Sequence, residues 1–202
     1  MLLRRLRHKF VNILIRFCHK GRVFFYRRLA TCFIEGRPIL NQATVFAGKG
    51  RLIFGEKVAL GYYPSPHFLS GCSHIEARNL AARIEIGDRT VINNNFALIA
   101  DSTYIRIGKN CLIGANVEIL DSDFHALEIE DRRQGKRGIS HPVTILDDVF
   151  IGSNARILKG VTVGRGAVIA NSAIVSKDVP EFTIVAGNPA IVIKKLKGLP
   201  DE

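Results

Sequence analysis

What this sequence lacks narrows its place and partners first. Cysteine is sparse and unpaired: Cys18, Cys32, Cys72 and Cys111 include no CxxC, and their spacing suits neither a metal knuckle nor a disulfide framework, so a reducing cytoplasm is expected. A long apolar run is missing too. Arg4, Arg5, Arg7 and Lys9 precede "FVNILI" at 10–15 in the manner of a leader peptide, but Arg16 cuts the run short and no small-residue cleavage site follows. The expectation is a cytoplasmic protein, with the inner face of the membrane as the alternative place. Acidic residues are nearly absent from residues 1–37, where Glu35 stands alone against ten Lys or Arg, while the remaining 165 residues carry only +2 of the net +11. The positive charge is therefore local. It argues against a nucleic-acid partner for the folded body.

Within that basic stretch, Leu2, Leu3, Leu6, Phe10, Leu14 and Phe17 recur at three- and four-residue intervals and form one apolar face. The pattern predicts an amphipathic helix, interrupted at Gly21, with a second helical piece through Phe24, Phe25 and Leu29 ending near Gly36 and Pro38. Such a helix has two fates: packing on its own protein, or docking through residues 1–30 on an anionic membrane. Residues 1–37 are read as this extension.

Further on, the period changes to six. Leu80, Ile86, Ile92 and Leu98 form one run, Ile107, Ile113 and Ile119 a second, and Ile145, Ile151, Ile157, Val163, Ile169 and Val175 a third. Neither a helix at 3.6 nor a lone strand at 2 has this period. Glycine often follows the aliphatic (Gly87, Gly108, Gly114, Gly152, Gly164). Four places after it stands Thr90, Ser102, Cys111, Val117, Ala155, Val161, Ala167 or Ala173. Each hexad reads as a short strand and a tight turn, with the aliphatic and the smaller residue pointing inward and three hexads per triangular coil. The fainter pairs Phe54-Gly55 and Leu60-Gly61 start the coils near residue 50, and "YYPSPHFLSGCS" interrupts them. The gap of 26 between Ile119 and Ile145 is not a multiple of six, so a loop, 121–142, must leave the coil. The β-helix is assigned 38–182, and 183–202 is read as a tail.

The segments "IGKNCLIGANVEILDSDFH" and "PVTILDDVFIGSNARILKGVTVGRGAVIANSAIVSKDVPEFTIVAGNPA" resemble the hexapeptide-repeat acyltransferases over about residues 80–197, in the branch of galactoside, maltose and nodulation-sugar O-acetyltransferases. The resemblance implies an all-β solenoid, a left-handed parallel β-helix, assembled as a homotrimer with acetyl-CoA bound between subunits. Handedness rests on the resemblance alone, because ordinary parallel crossovers are right-handed. It also implies acetyl transfer to a sugar hydroxyl of a cell-surface polysaccharide or its precursor. Amino-group acetylation and a non-catalytic binding subunit are the alternatives.

Acetyl transfer to an alcohol needs a base, oxyanion donors and a seat for CoA, and no metal. Of six histidines, His125 is the expected base: it lies in the emerging loop just after a coil edge and matches the family's catalytic histidine. His141 reads as loop-closing, His67 and His74 as pocket-lining or surface residues, and His8 and His19 belong to the helix. Asp121 and Asp123 either orient the imidazole or bond the turn's own backbone. By carry-over, Asn95 and Asp101 would meet the acceptor, and Ser153, Asn171, Ser176, Lys177 and Lys194 would meet CoA. Ile191 departs from the family, which places a basic residue there; Arg132, Arg133, Lys136 and Arg137 could substitute. A zinc site needs three converging histidines, and the coils from 80 to 120 contain none.

Overall fold

A computed structural model describes residues 2–198. Helix α1 (Leu2–Arg28) leads into strands that pass in strict rotation over three faces. The first coil is β1 (Phe33–Glu35), β2 (Ile39–Leu40) and β3 (Thr44–Gly48), and the second is β4 (Arg51–Phe54), β5 (Ala59–Leu60) and β6 (Ser73–Ala77). The third is β7 (Arg83–Ile86), β8 (Val91–Ile92) and β9 (Ala97–Ala100); the fourth is β10 (Tyr104–Ile107), β11 (Leu112–Ile113) and β12 (Glu118–Leu120). An excursion with the short helix α2 (Ile129–Arg133) precedes β13 (Val143–Ile145), β14 (Phe150–Ile151) and β15 (Arg156–Ile157). The sixth coil is β16 (Thr162–Val163), β17 (Val168–Ile169) and β18 (Ile174–Val175), followed by β19 (Thr183–Gly187) and β20 (Ala190–Lys195).

Each face is a parallel sheet: β1-β4-β7-β10-β13-β16, then β2-β5-β8-β11-β14-β17-β19-β20, then β3-β6-β9-β12-β15-β18, with only β20 antiparallel. Stacking puts like positions of successive coils over one another. Leu60, Ile92, Ile113, Ile151 and Ile169 form one inward column and Phe46, Ile75, Leu98, Ile119 and Ile157 another, all buried. Truncating any of these to alanine leaves a cavity costing about 2–5 kcal/mol.

Corners explain where the period of six holds. At the first, Lys57, Arg89, Asn110 and Asp148 take left-handed φ of 56–60°, and at the second Asn95, Asn116, Asn154 and Ser172 take 58–63°. One left-handed residue turns the chain sharply and fixes the hexad length. The third corner has no such uniform turn. It is bridged by residues 49–50, 78–82, 101–103, 121–142 and 158–161 in successive coils.

Those unequal bridges correct several expectations. Leu80 is 82% exposed, and Ile75 takes its place in the column, because 78–82 is an insertion after β6. Ser102 is likewise exposed, on the 101–103 bridge. The coil starts at β1, inside the stretch assigned to the extension and before residue 50, since Phe33–Glu35 already pairs with Arg51–Ile53. Gly21 does not interrupt α1: a side chain there would meet open space, so glycine weakens the helix without a clash to bend it. The segment after 182 is no loose tail, because β19 adds a rung on β17 and β20 folds back on β19.

Candidate active site at the third corner

The longest third-corner excursion, between Leu120 and Val143, is an antiparallel ribbon standing off the coil. Ser122 bridges Ser140 and His125 bridges Arg137, with Asp123 N–H donating to Ile139 O (3.2 Å), Ala126 N–H to Lys136 O (3.2 Å) and His141 N–H to Asp121 O (2.8 Å). His125 is exposed on this ribbon, and its N–H donates to Asp123 O (2.7 Å). Two features set its position. Phe124 takes a left-handed φ of 61°, which a bulky residue holds only when its surroundings impose it. Its N–H donates to Ser122 Oγ (2.9 Å), and the Arg78 guanidinium lies over its ring at 4.8 Å. Opposite, a Cβ at Gly138 would stand 2.7 Å from His125 O and 3.0 Å from Asp123 Cβ, so only glycine lets the strands approach this closely.

The supports of this ribbon carry no repeat signal in the sequence. Arg78 donates to Glu76 (2.9 and 3.3 Å) and Asp101 (3.4 Å), and His74 lies 3.2 Å from Glu76. The Arg78 hydrogen bond holds the Glu76 carboxyl below its usual range, and the Arg78 pKa is raised in turn. Lys159 donates to Asp123 Oδ1 (2.8 Å), tying the ribbon to the next coil, while Asp123 Oδ2 is buried without a partner among the described residues. Arg78 and Lys159 sit outside the hexad pattern, and only their third-corner position signals them.

Asp121 bonds the backbone of the neighbouring bridge. It is fully buried, and its carboxylate accepts from Asp101 N–H (2.6 Å), Ser102 N–H (3.4 Å), Thr103 N–H (2.9 Å) and Thr103 Oγ1 (2.7 Å). It holds the 101–103 bridge. Of the two expected roles, backbone anchor describes Asp121, and Asp123 is engaged with Lys159; neither is hydrogen-bonded to the imidazole among the described residues.

The acceptor and CoA candidates separate. Asp101, 5% exposed, lies beside the ribbon at the third corner, but Asn95 lies at the second, donating to Asn116 Oδ1 (2.8 Å) in a ladder continued by Asn116 to Asn154 (3.1 Å). Ser153 and Asn171 also occupy the second corner, where Ser153 Oγ accepts from Ala115 N–H (3.2 Å). Exposed Ser176 and Lys177 follow β18 at the third corner, and Lys194 lies on β20 opposite Ile184. One chain does not gather them. Nor does His125 line either of two concavities, one walled by Arg51, Leu80–Arg83, Thr103 and Tyr104, the other by Asp148, Gly166, Phe182, Leu196 and Lys197. Of the other histidines, His67 bonds Asn116 (3.2 Å) and His19 faces Asn41. Among the described residues no three His, Cys, Asp or Glu side chains gather at metal-binding distance.

A three-faced parallel coil with an exposed histidine on a corner ribbon defines the class. The family described as bacterial transferase hexapeptide (six repeats) matches residues 142–177, and that of the hexapeptide repeat of succinyl-transferase matches 104–121. A hexapeptide-repeat containing acetyltransferase from Vibrio cholerae is 35% identical, over 71% of this chain and 73% of that one, with a TM-score of 0.58; its acetyl-CoA complex also matches, at 29% and 0.54. This chain belongs to the hexapeptide-repeat acetyltransferases. The galactoside O-acetyltransferase of Escherichia coli is 38% identical over 115 residues, 57% of this chain and 55% of that enzyme. A 2,3,4,5-tetrahydropyridine-2,6-dicarboxylate N-acetyltransferase of Staphylococcus aureus is 58% identical over 60 residues, 30% of this chain and 25% of the relative. The chain spans about half the length of the first curated relatives it matches.

Proposed function

We propose that this protein transfers the acetyl group of acetyl-CoA to a sugar hydroxyl of a cell-surface polysaccharide or its precursor, in the cytoplasm, with His125 as general base. The observation that carries the reading is the ribbon: an imidazole held out from the coil by Gly138 and the Arg78–Phe124 contact, with no hydrogen bond occupying it among the described residues. As the acceptor oxygen adds to the thioester carbonyl, His125 takes its proton. The tetrahedral intermediate collapses, the C–S bond breaks, and the imidazolium returns the proton to the departing CoA thiolate.

The coil is taken as left-handed and the assembly as a homotrimer. Two observations support association. The candidate residues divide between the second and third corners, which a neighbouring copy could bring together. The outer surface of the second face is also apolar, with Ile39, Ala59, Val91, Leu112, Phe150, Val168 and Ile184 in register and Ile39, Leu112 and Phe150 about half exposed. In such an assembly Ser153 and Asn171 of one copy would lie along the CoA cleft, with Ser176 and Lys177 of the next, and Lys194, nearer the nucleotide and Asn95 and Asp101 toward the acceptor.

A second reading, transfer to an amine, is favoured by the 58% identity to the Staphylococcus aureus N-acetyltransferase over 60 residues. Thiol release from acetyl-CoA, measured with sugars, amino sugars and amino acids, separates the two. Release dependent on a sugar hydroxyl and abolished in His125→Ala is the expected result. Dependence on an amine selects the second reading, and full activity in His125→Ala removes His125 as the base.

A further inference from the structure

Helix α1 packs on the body by one edge and leaves a broad apolar stripe uncovered. It holds the body by one mixed edge: His19 donates to the Asn41 carbonyl and stacks on Phe68 (centroids 4.2 Å apart), Arg22 donates to the carbonyls of Leu69 and Gly71, and Ile15, Val23 and Tyr26 are half-buried on the same side. The opposite stripe faces away from the coil. Phe10 is 67% exposed, Ile13 65%, Phe17 77%, Phe24 60% and Phe25 59%. An amphipathic helix on a globular body ordinarily buries its apolar stripe. Here a narrower mixed edge is used for attachment, and the broad aromatic stripe is left to find its cover elsewhere.

We infer that this stripe docks in the interface of an anionic phospholipid bilayer, laying the coil against the membrane. Charge selects this occupant over a second copy of the helix. The 27 residues hold nine Lys or Arg and no Asp or Glu, so two such helices repel, whereas an anionic surface attracts every charge. Lys20 and Arg27 are exposed beside the stripe, where long side chains can reach headgroups while the aromatics enter the acyl boundary. The helix is about 40 Å long, but no helix among the described residues is long and apolar enough to cross a membrane. It lies in the surface. The inference stands on α1 alone and is independent of the acetyl-transfer reading.

The test is co-sedimentation of the full chain with phosphatidylcholine vesicles, with and without phosphatidylglycerol. Phe17→Glu/Phe24→Glu and Lys20→Glu/Arg27→Glu are compared with wild type, helix content being checked by circular dichroism. Wild type is expected to pellet with the anionic vesicles, and each double variant and raised salt to weaken binding at least about tenfold. The charge-reversed variant tests the idea even if the aromatic one unfolds. Wild type remaining in the supernatant at low salt, or binding neutral and anionic vesicles alike, overturns the inference. So does a wild-type assembly that ignores vesicles and becomes smaller in Phe17→Glu/Phe24→Glu, because the stripe would then be covered by another copy.

Discussion

Asp121→Ala distinguishes a corner anchor from a catalytic partner. Its carboxylate receives four hydrogen bonds from residues 101–103. The Thr103 hydroxyl can rotate to another acceptor, and Ser102 is exposed enough for water to replace its 3.4 Å bond. Two backbone donors, on Asp101 and Thr103, lose a charged acceptor at 2.6 and 2.9 Å. At about 1–3 kcal/mol for each donor left unsatisfied, the loss is about 2–6 kcal/mol. For a chain of this size that lowers Tm by roughly 4–24 °C. Thermal melts followed by circular dichroism supply the first number and acetyl-CoA turnover well below Tm the second. A corner anchor gives a large fall in Tm with a modest change in kcat. An unchanged Tm with kcat reduced about a hundredfold would refute this reasoning and return Asp121 to the imidazole.

Gly138→Ala places a Cβ 2.7 Å from the His125 carbonyl, so the ribbon must spread there while the coil beneath is untouched. Turnover is expected to fall about a hundredfold with Tm nearly unchanged, and wild-type turnover would show that the ribbon position does not matter. Cys111 is buried, and burial pushes its thiol up to about 11, whereas Cys18 is exposed. A thiol reagent at pH 8 should therefore label Cys18 first and reach Cys111 only after denaturation; native labelling lost on Cys111→Ala would contradict the packing.

The repeat was legible because one left-handed residue at each of two corners holds the hexads to length, so Ile86, Ile92, Ile107 and Ile113 fall in columns that spacing alone reveals. Leu80 and Ser102 misled for the same reason: both stand on third-corner bridges, whose lengths no periodicity predicts. The slips between runs were themselves the signal, since every slip after residue 80 marks the corner carrying His125, Asp101 and Lys159. What could not be read was pairing across coils. Arg78 reaches Glu76, Asp101 and Phe124 over separations of 2, 23 and 46 residues, set by how the bridges stack. The helix was legible as amphipathic, but its mounting depended on Phe68 and the carbonyls of 69 and 71, in a segment the sequence showed only as an interruption.

The division of candidate residues between two corners has a quantitative consequence. If each site joins the third corner of one copy to the second corner of the next, His125→Ala and Asn171→Ala damage opposite halves. Each homogeneous variant then carries the same defect at every site. In randomly mixed copies, a site is whole when an intact third corner, from an Asn171→Ala chain, meets an intact second corner, from a His125→Ala chain. At equal amounts that happens at about a quarter of sites, whatever the number of copies in a closed ring. Two variants with little turnover alone should therefore recover about a quarter of wild-type turnover after co-refolding, and none when merely mixed without exchange. Were the site complete within one chain, every site in the mixture would retain a defect. Co-refolding would then give only the average of the two variants, and that outcome would remove the shared site while leaving the His125 assignment standing.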